Sequence, residues 1–132
     1  MDPSRIAAFP LFADLPESDL ARLAEAAGEY GIEDGAKLTT EGEFGHCLFA
    51  VEEGTADVLA DGQVVGSVGP GDVIGEIAVV ASGRRTATIV ATSPMQLITL
   101  FKRDVWALER SAPQVAERLR ELLAGHLAPD AG

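Results

Sequence analysis

Apolar residues recur along this chain in two rhythms, and the changes between them divide it into three parts. Near the N-terminus, Ser4–Pro10 (SRIAAFP) predicts one helical turn closed by Pro10, with Phe9, Leu11 and Phe12 packing it onto something larger. Leu20, Leu23, Ala24 and Ala27 then follow at helical spacing. Pro16 suits the first helical position, and Glu17 and Asp19 suit the positive helix N-terminus. Gly28 is expected to supply a left-handed stop. Together these residues predict an amphipathic helix docked on a core through its leucines.

From Glu29 to Thr99 the rhythm shortens. Leu38-Thr39-Thr40, Cys47–Val51, Asp57–Ala60, Gln63–Val68, Thr86–Ala91 and Gln96–Leu100 read as strands. Turn chemistry separates them: Glu41-Gly42-Glu43-Phe44-Gly45, Gly54, the hairpin dipeptide Asp61-Gly62, Gly69-Pro70-Gly71 and Ser93-Pro94. Short strands at this spacing predict a mainly β protein, an antiparallel roll or barrel. After Phe101 the helical period returns. Val105, Trp106 and Leu108 belong to one helix, and Ser111-Ala112-Pro113-Gln114 has capping-box spacing for a second. Val115, Leu119, Leu122 and His126 fall on one face of that last helix, and Leu127–Gly132 reads as a frayed tail.

Composition narrows the function. A chain of 132 residues with 47% hydrophobic and 23% charged residues is expected to form one soluble globular domain. No apolar run approaches a membrane span, and Met1-Asp2-Pro3-Ser4 lacks a secretory layout. The single cysteine, Cys47, allows no internal disulfide, so a cytoplasmic setting is the expectation. A formal net charge of −11 argues against nucleic acid as a partner. Two histidines and one cysteine without ligand spacing predict no metal site, which separates the chain from metal-binding cupins of similar architecture. No Ser/His/Asp or Cys/His arrangement suggests an enzyme. Glu52 and Glu53 alternate faces on a strand and so do not converge.

One stretch gathers chemistry. Gly69–Ala91 (GPGDVIGEIAVVASGRRTATIVA) combines a tight glycine turn, the acceptor-only carboxylate of Glu76, the guanidinium forks of Arg84 and Arg85, and the hydroxyl of Thr86. Glycine lets a ligand approach the main chain, and an arginine fork fits two phosphate oxygens. The set suits a ligand with an anionic end and a hydroxylated end.

Gly75-Glu76-Ile77-Ala78 and Arg85-Thr86-Ala87-Thr88-Ile89 resemble the phosphate-binding cassette of cyclic-nucleotide-binding domains. Such domains occur in regulatory subunits of cAMP-dependent protein kinase, catabolite activator proteins and cyclic-nucleotide-gated channels. The resemblance extends over nearly the whole chain. It implies a helical lead-in over 1–28, an eight-stranded, jelly-roll-like β-roll over 29–100 with its cassette at 74–87, and hinge and lid helices over 101–127. It also implies a non-enzymatic sensor whose ligand is a cyclic purine nucleotide, cAMP first and cGMP second, with no cofactor. By resemblance, Gly75, Glu76, Ile77 and Ala78 offer amides to the phosphate and Arg85 grips it. Glu76 accepts from the ribose 2′-hydroxyl, Thr86 is the base-selectivity position, and Ala87 ends the motif. Val73 lies against the base, and Leu122 and His126 stand where a lid would close over it; read from the residues alone, His126 is a partly exposed histidine near a fraying terminus. Two positions depart from the family pattern: Arg84 stands where many relatives have proline, and His46 where they usually have aspartate. The partners expected beyond the nucleotide are an effector domain or protein and a second copy of the chain. The alternative is a nucleotide-independent protein-interaction module on the same roll.

Overall fold

A computed structural model describes residues 1–43, 45, 47–74 and 87–101, with 103, 104, 107, 110, 113 and 117 beyond them. Its elements run α1 (Pro3–Ala7), α2 (Glu17–Ala26), β1 (Gly28–Ile32), β2 (Lys37–Thr39), β3 (Cys47–Glu53), β4 (Ala56–Ala60), β5 (Gln63–Val68), β6 (Val73–Ile74), β7 (Thr88–Ala91) and β8 (Met95–Phe101). Eight strands thus form among the described residues, in two four-stranded sheets ordered β1-β8-β3-β6 and β2-β7-β4-β5. Every pairing is antiparallel. The mainly β roll and the N-terminal helical segment therefore match expectation. The two expected C-terminal helices, and with them Leu122 and His126, lie outside the described residues apart from the scattered positions named above.

Strand alternation distributes the core. On β3 and β8, Leu48, Ala50, Ile98 and Leu100 turn to one face and meet Ile6, Phe9, Phe12, Leu20 and Leu23 from the helical lead-in. Phe49, Val51, Met95 and Leu97 turn to the other face and meet Ala56, Ile89 and Ala91 of the second sheet. The layers are therefore helices, first sheet, second sheet. A salt bridge fastens the outer pair: Arg5 of α1 forks onto Glu52, its Nε donating at 3.0 Å, and also reaches Glu29 of β1. Those hydrogen bonds to two carboxylates raise the Arg5 pKa above the usual arginine value. Glu52 is aimed there by a register shift between Val51 and Glu53.

Two expectations about α2 need correction. Pro16 is the N-cap, with ψ at 148°, and not the first helical residue, because its own backbone is still extended. Gly28 is not a left-handed stop. The helix ends at Ala27 on extended backbone (ψ 147°), and Gly28 already pairs with Thr99 in β1. Glycine fits there for room, since a Cβ would stand 2.7 Å from the Thr99 hydroxyl oxygen. The Asp61-Gly62 hairpin forms as expected, with φ of 52° and 78°, the signature of a type I′ turn.

The chain changes sheets at Gly54, between β3 and β4. Its φ is +91°, and a Cβ would fall 2.3 Å from the Pro94 carbonyl oxygen. Neighbouring Thr55 completes the corner, its amide donating to Ser93 Oγ at 2.9 Å while its carbonyl accepts from the Thr92 amide.

Candidate functional site

The glycine- and arginine-bearing stretch lies between β6 and β7, and those strands belong to different sheets. Val73 and Ile74 pair with Ala50 and Phe49 in the first sheet. Thr88–Leu59 and Ile89–Val58 pairing places the other end in the second. Whatever residues 75–86 hold is therefore attached to both layers of the roll.

Both attachment points are built by hydrogen bonds. On the entry side, Gly69–Asp72 forms a turn in which the Asp72 amide donates to the Gly69 carbonyl at 3.1 Å. Pro70 presets φ and Gly71, at φ +95°, supplies the left-handed position of a type II turn. The turn docks on β3: the Gly71 amide donates to the Val51 carbonyl and the Val51 amide to the Asp72 carbonyl, both at 2.9 Å. The Asp72 side chain also accepts from the Gly69 amide at 2.8 Å.

On the exit side, the Thr39 hydroxyl donates to the Ala87 carbonyl at 3.0 Å. The Glu41 amide donates to Thr88 Oγ1, also at 3.0 Å. The Glu41 carboxylate in turn accepts from the Asp61 amide at 3.1 Å, tying in the tip of the β4–β5 hairpin.

Of the residues expected at the site, Val73 and Ala87 are described, both half-buried. Gly75, Glu76, Ile77, Ala78, Arg85 and Thr86 lie outside the described residues, as do Arg84 and His46. Val73 packs against the cluster beneath the N-terminal helices, while its neighbour Ile74 enters the core between the sheets. Alternation along β6 dictates that division. Thr39 was read from the sequence as an ordinary strand residue. Its link to Ala87 spans 48 positions, and no local signal announces it.

Among the described residues, no group of three or more potential metal ligands comes together. None of their helices is long and apolar enough to cross a membrane.

A double-layered roll whose glycine- and arginine-bearing connection bridges its two sheets defines a class, and comparison places the chain within it. Residues 32–111 match the profile of the cyclic nucleotide-binding domain family, to which this chain belongs. Over 116 residues it is 31% identical to a cyclic nucleotide-gated potassium channel of Rhizobium etli, covering 88% of this chain and 32% of the channel. Among solved structures it is similar to the regulatory domain of Toxoplasma gondii protein kinase A crystallised with cAMP, at 36% identity and a TM-score of 0.71. That match covers 79% of this chain and 42% of the other. The catabolite activator protein of Thermus thermophilus matches at 30% identity and a TM-score of 0.77, over 89% of this chain and 58% of that one. The chain thus spans about a third of the channel's length and about half of each of the other two chains.

Proposed function

We propose that this domain is a non-enzymatic sensor that binds a cyclic purine mononucleotide, cAMP in preference to cGMP. The observation that carries the reading is the complete motif, Gly75-Glu76-Ile77-Ala78 and Arg85-Thr86-Ala87, inside the matched family region. The kinase regulatory domain at 36% identity, crystallised with cAMP, favours that ligand. In this reading the amides of Gly75–Ala78 and the Arg85 fork take the cyclic phosphate, where charge-assisted hydrogen bonds are strongest. Glu76 accepts from the ribose hydroxyl, and Thr86 bonds the phosphate while keeping cGMP acceptable. Val73, half-buried on β6, offers the apolar surface against which the base lies. Leu122 and His126, on helices within 101–127, close over the base. A ligand shifts those helices only by binding one of their arrangements more tightly than another. The output belongs to an effector domain or protein partner.

Isothermal titration with cAMP, cGMP and 5′-AMP tests this. The expected result is binding of both cyclic forms, cAMP the tighter, with 5′-AMP far weaker. Arg85→Ala is expected to weaken cAMP about tenfold to a hundredfold, and Arg84→Ala much less. Equal losses from the two would mean the phosphate clamp is misassigned. Absence of heat with either cyclic nucleotide would overturn the sensor reading and leave the interaction module.

A further inference from the structure

The hydrogen bonds at the exit of the cassette motif have a common source, the short run Thr39–Glu41 that ends β2. Thr39 is buried although it carries a hydroxyl. Its orientation comes from a register shift: Lys37 pairs with Val90, but Thr39 pairs with Ile89, so Leu38 is the extra residue of a bulge. Consecutive side chains on a strand normally face opposite ways. Here Leu38 packs on the inter-sheet core while Thr39 is buried as well. Bulges re-aim side chains in this way, often beside functional sites. The re-aimed hydroxyl meets the carbonyl of Ala87, two positions after Arg85. Next along the chain, Glu41 holds Thr88 with its amide and the Asp61 turn with its carboxylate.

The geometry points to Thr39 as a positioning residue for nucleotide binding: through Ala87, two positions after Arg85, it fixes where the chain enters β7, with the Glu41–Thr88 bond as its second fastening. The inference rests on the sensor reading for its functional consequence. Its structural half does not. Thr39 touches no phosphate oxygen in this scheme. It lowers the cost of ordering the groups that do, because a clamp already held in place loses less freedom on binding.

Two measurements on the full chain separate these halves. In hydrogen–deuterium exchange without ligand, Thr39→Val is expected to speed exchange in the peptide spanning 84–90 by about tenfold, with β8 unchanged. Thr39→Ser restores the original rate, and Thr88→Ala gives a smaller acceleration in the same peptide. An unchanged 84–90 peptide, or an equal rise across β3 and β8, overturns the proposal. In cAMP titration, Thr39→Val is expected to weaken binding about threefold to tenfold, and Thr39→Ser to recover it. Placed on Arg85→Ala, the same substitution should cost less than about twofold, since a residue acting through Arg85 has nothing left to position. An equal loss in both backgrounds overturns it too. Should the unsubstituted chain bind neither cyclic nucleotide, the sensor reading fails and the exchange result alone decides the latch.

Discussion

The β1-β8-β3-β6 sheet is covered on both faces, by the helical lead-in on one side and by the second sheet on the other. The β2-β7-β4-β5 sheet meets the first sheet with residues such as Ala56, Ile89 and Ala91, and its edge strand β5 is exposed from Gln63 to Ser67. The strands read accordingly. Leu48-Phe49-Ala50-Val51 and Leu97-Ile98 are unbroken apolar runs because each successive side chain finds a buried face. On β5, Val64 and Val65 are 61% and 51% exposed, so their hydrophobicity is spent on propensity rather than on burial. A register shift between Val58 and Leu59, with Val65 as the extra residue, also kinks that strand. Bulges are one of the devices by which sheet edges avoid pairing with other chains.

This contrast can be broken by substitution. Ile98→Ala, in the doubly covered sheet, is expected to lower stability by about 2–5 kcal/mol in urea titration. Gly54→Ala, at the corner joining the sheets, is expected to cost about 1–3 kcal/mol from backbone strain alone. The encroached Pro94 carbonyl should add to that cost, and no surrounding side chain can relieve it. By contrast, Val64→Lys on β5 should change stability by no more than about 0.5 kcal/mol. If Val64→Lys proved as damaging as Ile98→Ala, something covers β5 and the asymmetry between the sheets is false.

The smallest effect concerns Asp2, whose carboxylate accepts from the Ser4 amide at 2.9 Å and caps α1. That bond holds its pKa below the ordinary 3.8. A carboxyl with a lowered folded-state pKa contributes stability that is complete above the ordinary value and fades as pH drops through the lowered one. Following the Asp2 resonance by NMR should show a midpoint below 3.8 that Ser4→Pro, which removes the amide donor, moves upward.

Legibility in the sequence tracked locality. The Asp61-Gly62 hairpin and strands β3, β5 and β8 were readable because alternation and turn residues lie within a few positions of each other. β1 and β6 were not separately readable. Gly28-Glu29-Tyr30-Gly31-Ile32 carries little apolar pattern, and Val73-Ile74 is too short to show a period. Gly28 misled for a related reason, because its need is for space beside Thr99, a residue far along the chain. At the candidate site, residue types and spacing revealed the motif itself. The side of β6 on which Val73 falls, and the reach of Thr39 to Ala87, depend on register, and register is set by pairing between distant strands.

Arg5 and its two carboxylates have a practical consequence. The family match begins at residue 32, which invites trimming the gene to that boundary. Such a cut would discard the guanidinium that Glu52 and Glu29 share, removing Glu29 itself along with it. It would also lay bare Leu48, Ala50, Ile98 and Leu100 as one greasy slab. A shortened version would be prone to clump in the test tube, and its failure would say nothing about the ligand.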